Sequence, residues 1–310
     1  SSVLSPQSSV LNPDDTIKLF PDIALGLLRQ EQTAPGRIWL LLRYLDRVGQ
    51  GWIRIATAKE TLTDKKSLIH TCGRRQLRNL LRDGNSLFWT RDKTRIWLKS
   101  AANVAAALGV TRLKGKPVAV PIHVLTGNIG EVRAHLYAAF HSGRAKADRQ
   151  QPIARDTLAA LTGVGRRTQL AYETVTGLTV QHNYAIGERY SPETAEKHAW
   201  HQGQATFVLQ DSHGKQGRSG RSYIAWQLPN SYGSCHAHAP KGRQRRINRQ
   251  LKDLVDKGAP GNSSERLADT RYYPDGKQAA RMAARHPNWD VYWWRQRTRN
   301  GRSALWQQIK

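Results

Sequence analysis

The chain has 310 residues, with 49 Lys+Arg against 23 Asp+Glu and a formal charge of +26 at pH 7. That length allows two or more units with cores of their own, and an apolar share of 39% excludes a disordered basic tail. So large a surplus repels itself in the compact state, which calls for an acidic partner. Arginine set within motifs favours phosphate and base recognition over lysine-driven attraction to a membrane.

Residues 1–33 are rich in Ser, Pro and Gln and read as a flexible N-terminal arm with one apolar segment, "IKLFPDIALGLL". Leu19, Phe20, Ile23 and Leu27 in that segment leave open a homodimer or a larger nucleoprotein complex. From Gly36 onward, Ile38, Leu41, Leu42, Leu45 and Val48 fall at helical spacing. "GWIRIA" (51–56) predicts a strand, and a short helix is predicted around Lys65–Thr71. A further helix spans Arg74–Asp83, with Gly84-Asn85 as its C-cap. "LFWTRDKTRIWLKS" (87–100) then reads as two strands turning at Asp92-Lys93, with Trp89 and Trp97 on paired strands. Helix, strand, helix, helix, hairpin is the order of a winged helix, here over 34–112.

"LKGKPVAVP" (113–121) reads as a linker, since its two prolines do not suit a helix interior. The plan then repeats over 122–232. Val132, Leu136, Ala139 and Phe140 mark a first helix. Residues 152–177 hold a helix, a turn at Gly163–Gly165 and a second helix. "TFVLQDS" (206–212) and "SYIAWQL" (222–228) form a hairpin around the basic loop "HGKQGRSGR". An insertion, "QHNYAIGERYSPETAEKHAWHQ", carries a strand and a short helix. Offsets of 92 and 93 residues each align part of the repeat. Residues 233–268 read as a basic linker around a helix. Residues 269–310 read as a helix–hairpin unit, "VYWWRQ" pairing with "SALWQQI" so that Trp294 and Trp306 share a hairpin.

The repeated phrase is the core of the functional reading. "TCGRRQLRNLL" (71–81) is echoed by "GVGRRTQLAYE" (163–173). "TLAALTGVGRRTQ" (157–169) resembles the helix-turn-helix of DNA-binding regulators and initiators. Leu158 and Ala159 are expected to pack inside, Gly163 to make the turn, and Val164 to plug the core. The resemblance implies that Arg166, Arg167, Thr168 and Gln169 face a groove, although an apolar residue usually stands where this chain has Gln169. In the first helix Leu77, Leu80 and Leu81 take one side, and Arg74, Arg75, Arg78, Asn79 and Arg82 lie elsewhere. Arginine can read guanine O6 and N7, and asparagine can read adenine.

Arg91, Lys93, Arg95, Lys215, Arg218, Arg221, Arg299 and Arg302 lie at or beside hairpin tips. Arg243, Arg245, Arg246 and Arg249 lie on the basic helix, and all twelve are read as backbone or minor-groove contacts. Most of the ten tryptophans are expected to fill small cores.

The expected fold is α+β: tandem winged-helix domains with a small C-terminal helix–hairpin unit. The expected partner is double-stranded DNA, and the architecture is similar to winged-helix replication initiators of plasmids and mobile elements and to transcription regulators. The contact chemistry does not choose between replication and transcription. An RNA-binding subunit of a ribonucleoprotein complex is the alternative, with tryptophans stacking unpaired bases. His236-Ala237-His238 has the bare spacing of the metal pair in rolling-circle nickases, but Tyr272 and Tyr273 abut Pro274, an awkward place for a helical nucleophile. No metal, cofactor or catalytic set is expected. Cys72 and Cys235 make no disulfide framework, and no apolar run reaches the ~20 residues of a bilayer span. No signal peptide is read at the start, so a cytoplasmic, nucleoid-associated protein is the expectation.

Overall fold

In the computed structural model the described residues are 15–144, 152–191, 206–212, 220–257, 290–295 and 307–308. The fold is mixed α+β with small antiparallel sheets. It divides into two units, 1–140 with 236–267, and 141–235 with 268–310.

The first unit begins with β1 (Thr16–Leu19) and α1 (Pro21–Arg29). α1 is apolar nearly all round, and Ile23, Ala24, Leu25, Leu27 and Leu28 are buried. A helix of that kind belongs inside a core. From residue 15 onward the predicted flexible arm is therefore an internal element, and Leu19, Phe20, Ile23 and Leu27 are not open to a second chain. β1 pairs antiparallel with β5 (Val118–Pro121), from Thr16↔Pro121 to Leu19↔Val118.

The predicted linker 113–121 is thus part of the unit. Asp22 accepts from the Lys114 and Gly115 amides at 2.8 and 3.3 Å, and burial raises its carboxyl above the usual range. Over its described residues from 236 to 257, the basic segment is no linker either. The Ala119 amide donates to Ala237 O at 2.9 Å, and the Ala239 amide to Pro117 O at 2.8 Å. Helix α10 (Gln244–Asp256) packs on α5 (Ala101–Ala107) through the fully buried Leu251. Its Asn248 closes both hydrogen bonds with the backbone of Leu113, at 2.9 and 3.0 Å.

Inside this frame lie α2 (Thr33–Leu45), β2 (Trp52–Arg54), α3 (Ile55–Thr63), α4 (Arg74–Asp83), β3 (Trp89–Arg91) and β4 (Arg95–Leu98). The three strands order as β2-β4-β3, all antiparallel. α2 buries Ile38 to Leu42 and ends before Val48, which is exposed. The second helix is α3, not a helix at 65–71. Ala58 and Leu62, four residues apart, supply its buried stripe. Residues 64–73 are turns, in which Asp64 and Ser67 side chains accept from the Lys66 and Ile69 amides and compete with helix.

Gly84 does cap α4, but at φ −84° it needs no left-handed freedom. Its lack of a Cβ admits the Trp89 ring, which would otherwise lie 2.4 Å from that carbon. α6 (Ile122–Thr126) and α7 (Ile129–Arg144) follow, with Val132, Leu136 and Phe140 buried as the periodicity requires.

The second unit holds α8 (Arg155–Thr162), α9 (Arg166–Thr176), β6 (Val180–Arg189), β7 (Thr206–Asp211) and β8 (Arg221–Tyr232). β9 (Asp290–Arg295) and β10 (Gln307–Gln308) complete it, and the sheet orders as β10-β7-β8-β6-β9. The β7–β8 hairpin forms from Thr206↔Trp226 to Asp211↔Arg221. The insertion begins with a full strand, β6, which pairs β8 on one side and β9 on the other. β9 and β10 lie at opposite edges of the sheet, so the predicted tail hairpin between them does not form. Each instead pairs the exposed row of backbone donors and acceptors on β6 or β7. The helix predicted at 276–286 and Trp306 lie outside the described residues.

Candidate nucleic-acid interface

α4 follows the N-cap Gly73 and presents two distinct faces. Leu77, Leu80 and Leu81 are buried, while Arg74, Arg75, Arg78, Asn79 and Arg82 are exposed. Arg82 Nε sits 3.1 Å from its neighbour Asp83 in an exposed pair worth little. α9 follows the same plan. Gly163, at φ +70°, turns the chain after α8 in a region that L-residues avoid, and Val164 is buried behind it.

The buried stripe fixes the register between the two helices. An offset of 92 residues maps Leu77, Leu80 and Leu81 onto Gln169, Tyr172 and Glu173, all buried. Gln169 is therefore not a groove residue, contrary to expectation. It takes the core place of Leu77, and Nε2 donates to the Arg155 and Val164 carbonyls at 3.0 and 2.9 Å. Glu173 takes the place of Leu81 and meets Arg155 in a bidentate pair, at 2.8 and 2.9 Å. The exposed residues of α9 are Arg166, Arg167, Thr168, Leu170, Ala171, Thr174 and Val175, and only the two arginines among them are charged. The polar Arg78 and Asn79 of α4 correspond to Leu170 and Ala171, so α4 presents the more cationic face.

Both helices open on two exposed arginines, with no acid in the first turn. The amide dipoles put partial positive charge there, so fold stability favours Asp or Glu at those positions. The unfavourable choice made twice fits an anion held by free helix-terminal amides together with guanidinium groups.

At the tip between β3 and β4, Asp92 Oδ1 accepts from the Thr94 and Arg95 amides at 2.7 and 2.6 Å. Its Oδ2 accepts from Trp97 Nε1 at 2.8 Å. These bonds, led by the Thr94 amide, hold its carboxyl down at about 2. The lone acid of the tip is thus consumed in the turn, and Arg91, Lys93 and Arg95 are exposed. Arg243, the N-cap of α10, and Arg245, Arg246 and Arg249 on the helix are exposed. Arg221 is half-buried at the start of β8. Lys215, Arg218, Arg299 and Arg302 lie outside the described residues, as do Tyr272 and Tyr273.

The His-x-His segment is built into the first unit. His236 is buried with Nε2 3.3 Å from His135 Nδ1, while His238 is exposed. Among the described residues no three His, Cys, Asp or Glu side chains are placed to hold a metal. Burial, and secondarily His135, push the His236 imidazole down to about 4. Burial also lowers His135, with His123 adding to the shift and Glu131 opposing it.

The His236 ring is neutral in the fold near neutral pH and takes up a proton near 6.5 when unfolded, so its stabilisation is complete above pH ~6.5. It fades as pH falls from there through about 4. Thermal melts are expected to show about 2 kcal/mol less stability near pH 5 than at neutrality from His236 alone. His236→Asn should flatten that dependence, and an unchanged slope would remove this pair as its source.

Among the described residues no helix is long and apolar enough to cross a membrane. In comparisons with known proteins, no family model, no curated protein and no solved structure matches the chain.

Proposed function

We propose that the chain is a double-stranded DNA-binding protein built on two winged-helix units, with α4 and α9 as the groove-reading helices. Its role would be that of a replication initiator or transcription regulator. The observation that carries this reading is the paired first turn of α4 and α9. In each, two solvent-facing arginines stand where the dipole disfavours them, above a buried stripe in the same register. Element order supports it as well: α2, β2, α3, α4, then the β3–β4 hairpin, with β2 pairing the far hairpin strand. Basic residues at that hairpin tip and along α10 suit flanking phosphates.

Fluorescence-anisotropy titrations with random duplex, single strand and structured RNA at two salt concentrations test the reading. Duplex preference is expected, with log K falling by about 0.9 per phosphate contact for each decade of salt. Tighter binding to structured RNA would replace the proposal with the ribonucleoprotein one. On a site selected from the duplex pool, Arg75→Ala and Arg167→Ala should each cost about 1–3 kcal/mol. Equal losses on random duplex would reduce them to phosphate contacts.

A further inference from the structure

The three-stranded sheet of the first unit has two unlike faces. Inward, Trp89 and Ile96 are fully buried. Outward, the register sets Trp52 opposite Trp97, Arg54 opposite Arg95, and Thr90 opposite Trp97. The two indoles have centroids 6.1 Å apart, tilted by 48°. The Arg95 guanidinium lies 4.1 Å over the Trp52 ring and 5.6 Å from that of Trp97. Trp97 nevertheless remains 41% exposed.

We infer that this outer face is a stacking platform for unpaired DNA bases running on from the duplex that α4 holds. A cross-strand tryptophan pair stabilises a sheet by itself. Three further features point to a strand as the ligand. Arg54 and Arg95, opposite each other in the register, add two cations to the same outer face as the rings, where a backbone would run beside its stacked bases. The guanidinium over Trp52 is itself a flat surface on which a base can stack.

The third feature is Asp92. It is the one acid at the tip, and it is turned away from ligand duty by its bonds to the Thr94 and Arg95 amides. Its other oxygen grips Trp97 Nε1 and fixes the ring's orientation. A platform whose rings are already held loses little freedom when a base arrives.

The inference rests on the duplex reading, and one experiment separates the two. Affinities are measured for a blunt duplex, the same duplex with an oligo-dT tail, and the same duplex with an oligo-rU tail. The wild type is expected to gain roughly tenfold from the dT tail, the scale of one stacked base. Trp97→Ala should abolish that gain and leave blunt-duplex affinity within about twofold, while Trp97→Phe keeps most of it.

If Trp97→Ala does not fold by circular dichroism, Arg54→Ala, at an exposed site, carries the test and must lose part of the gain. A tail without effect on the wild type overturns the platform. So does a tail gain that survives Trp97→Ala or Arg54→Ala, an equal loss on blunt and tailed DNA, or a stronger gain from rU. Those outcomes leave the groove reading standing. Blunt-duplex binding indifferent to Arg75→Ala and Arg167→Ala would refute the groove reading, and a Trp97-dependent tail gain in the same data would keep the stacking face while overturning its link to a duplex held by α4.

Discussion

Glu173→Ala is expected to lower the unfolding free energy of the second unit by about 3–5 kcal/mol, because it strands a buried cation. The Arg155–Glu173 side chains are 10% and 8% exposed, at 2.8 Å, with Gln169 Oε1 3.4 Å from the same guanidinium. Water cannot easily replace the carboxylate, so Arg155 would remain desolvated beside a neutral methyl group. The effect should read as a fall in melting midpoint on the order of 10 °C.

The double substitution Arg155→Met with Glu173→Leu should recover most of the loss, since it removes the buried cation and puts an apolar side chain where Leu81 stands in α4. Recovery would show that the pair specifies how α8 and α9 meet rather than adding net stability. A loss below about 1 kcal/mol for Glu173→Ala would mean that solvent reaches the pair.

Trp89→Ala should cost a similar amount, about 3–5 kcal/mol, in the first unit. The ring is fully buried, lies against Phe88 with centroids 5.7 Å apart, and fills the space left by the missing Cβ of Gly84. Its Nε1 donates to Leu81 O at 3.0 Å, one of the last-turn carbonyls of α4 that has no partner within the helix. Trp89 therefore couples the hairpin to the end of the arginine-bearing helix. Trp89→Phe should cost less, since it keeps most of the apolar bulk but orphans the carbonyl, at about 1–3 kcal/mol. Denaturant unfolding of the three proteins decides this, and similar midpoints would refute the anchoring role.

Much of the plan is local and was legible as such. The stripes of α4 and α7, the turn at Gly163 with Val164 behind it, and the hairpins at 89–98 and 206–232 all follow from spacing and turn residues within a few positions. The arginine face of α4 was readable because every apolar residue of that helix lies on one side. α3 was misplaced. Its "IATAKETLT" offers two buried positions, and the Lys65–Thr71 stretch that reads as helical is held in turns by the Asp64 and Ser67 side chains.

What the sequence by itself determined is the pair of helices with exposed opening arginines, since periodicity and charge placement are properties of a few consecutive residues. Tertiary structure alone decided three things. The N-terminal segment and residues 113–121 pair into the first core, and 236–256 closes on them through Asn248, Ala237 and Leu251, with partners more than ninety residues away. Gln169 and Glu173 became core residues because Arg155 lies across from them. The tail strands went to two sheet edges and not to each other. In each case a backbone or polar group needed a partner, and which distant residue supplies it depends on proximity in space, which local pattern does not encode.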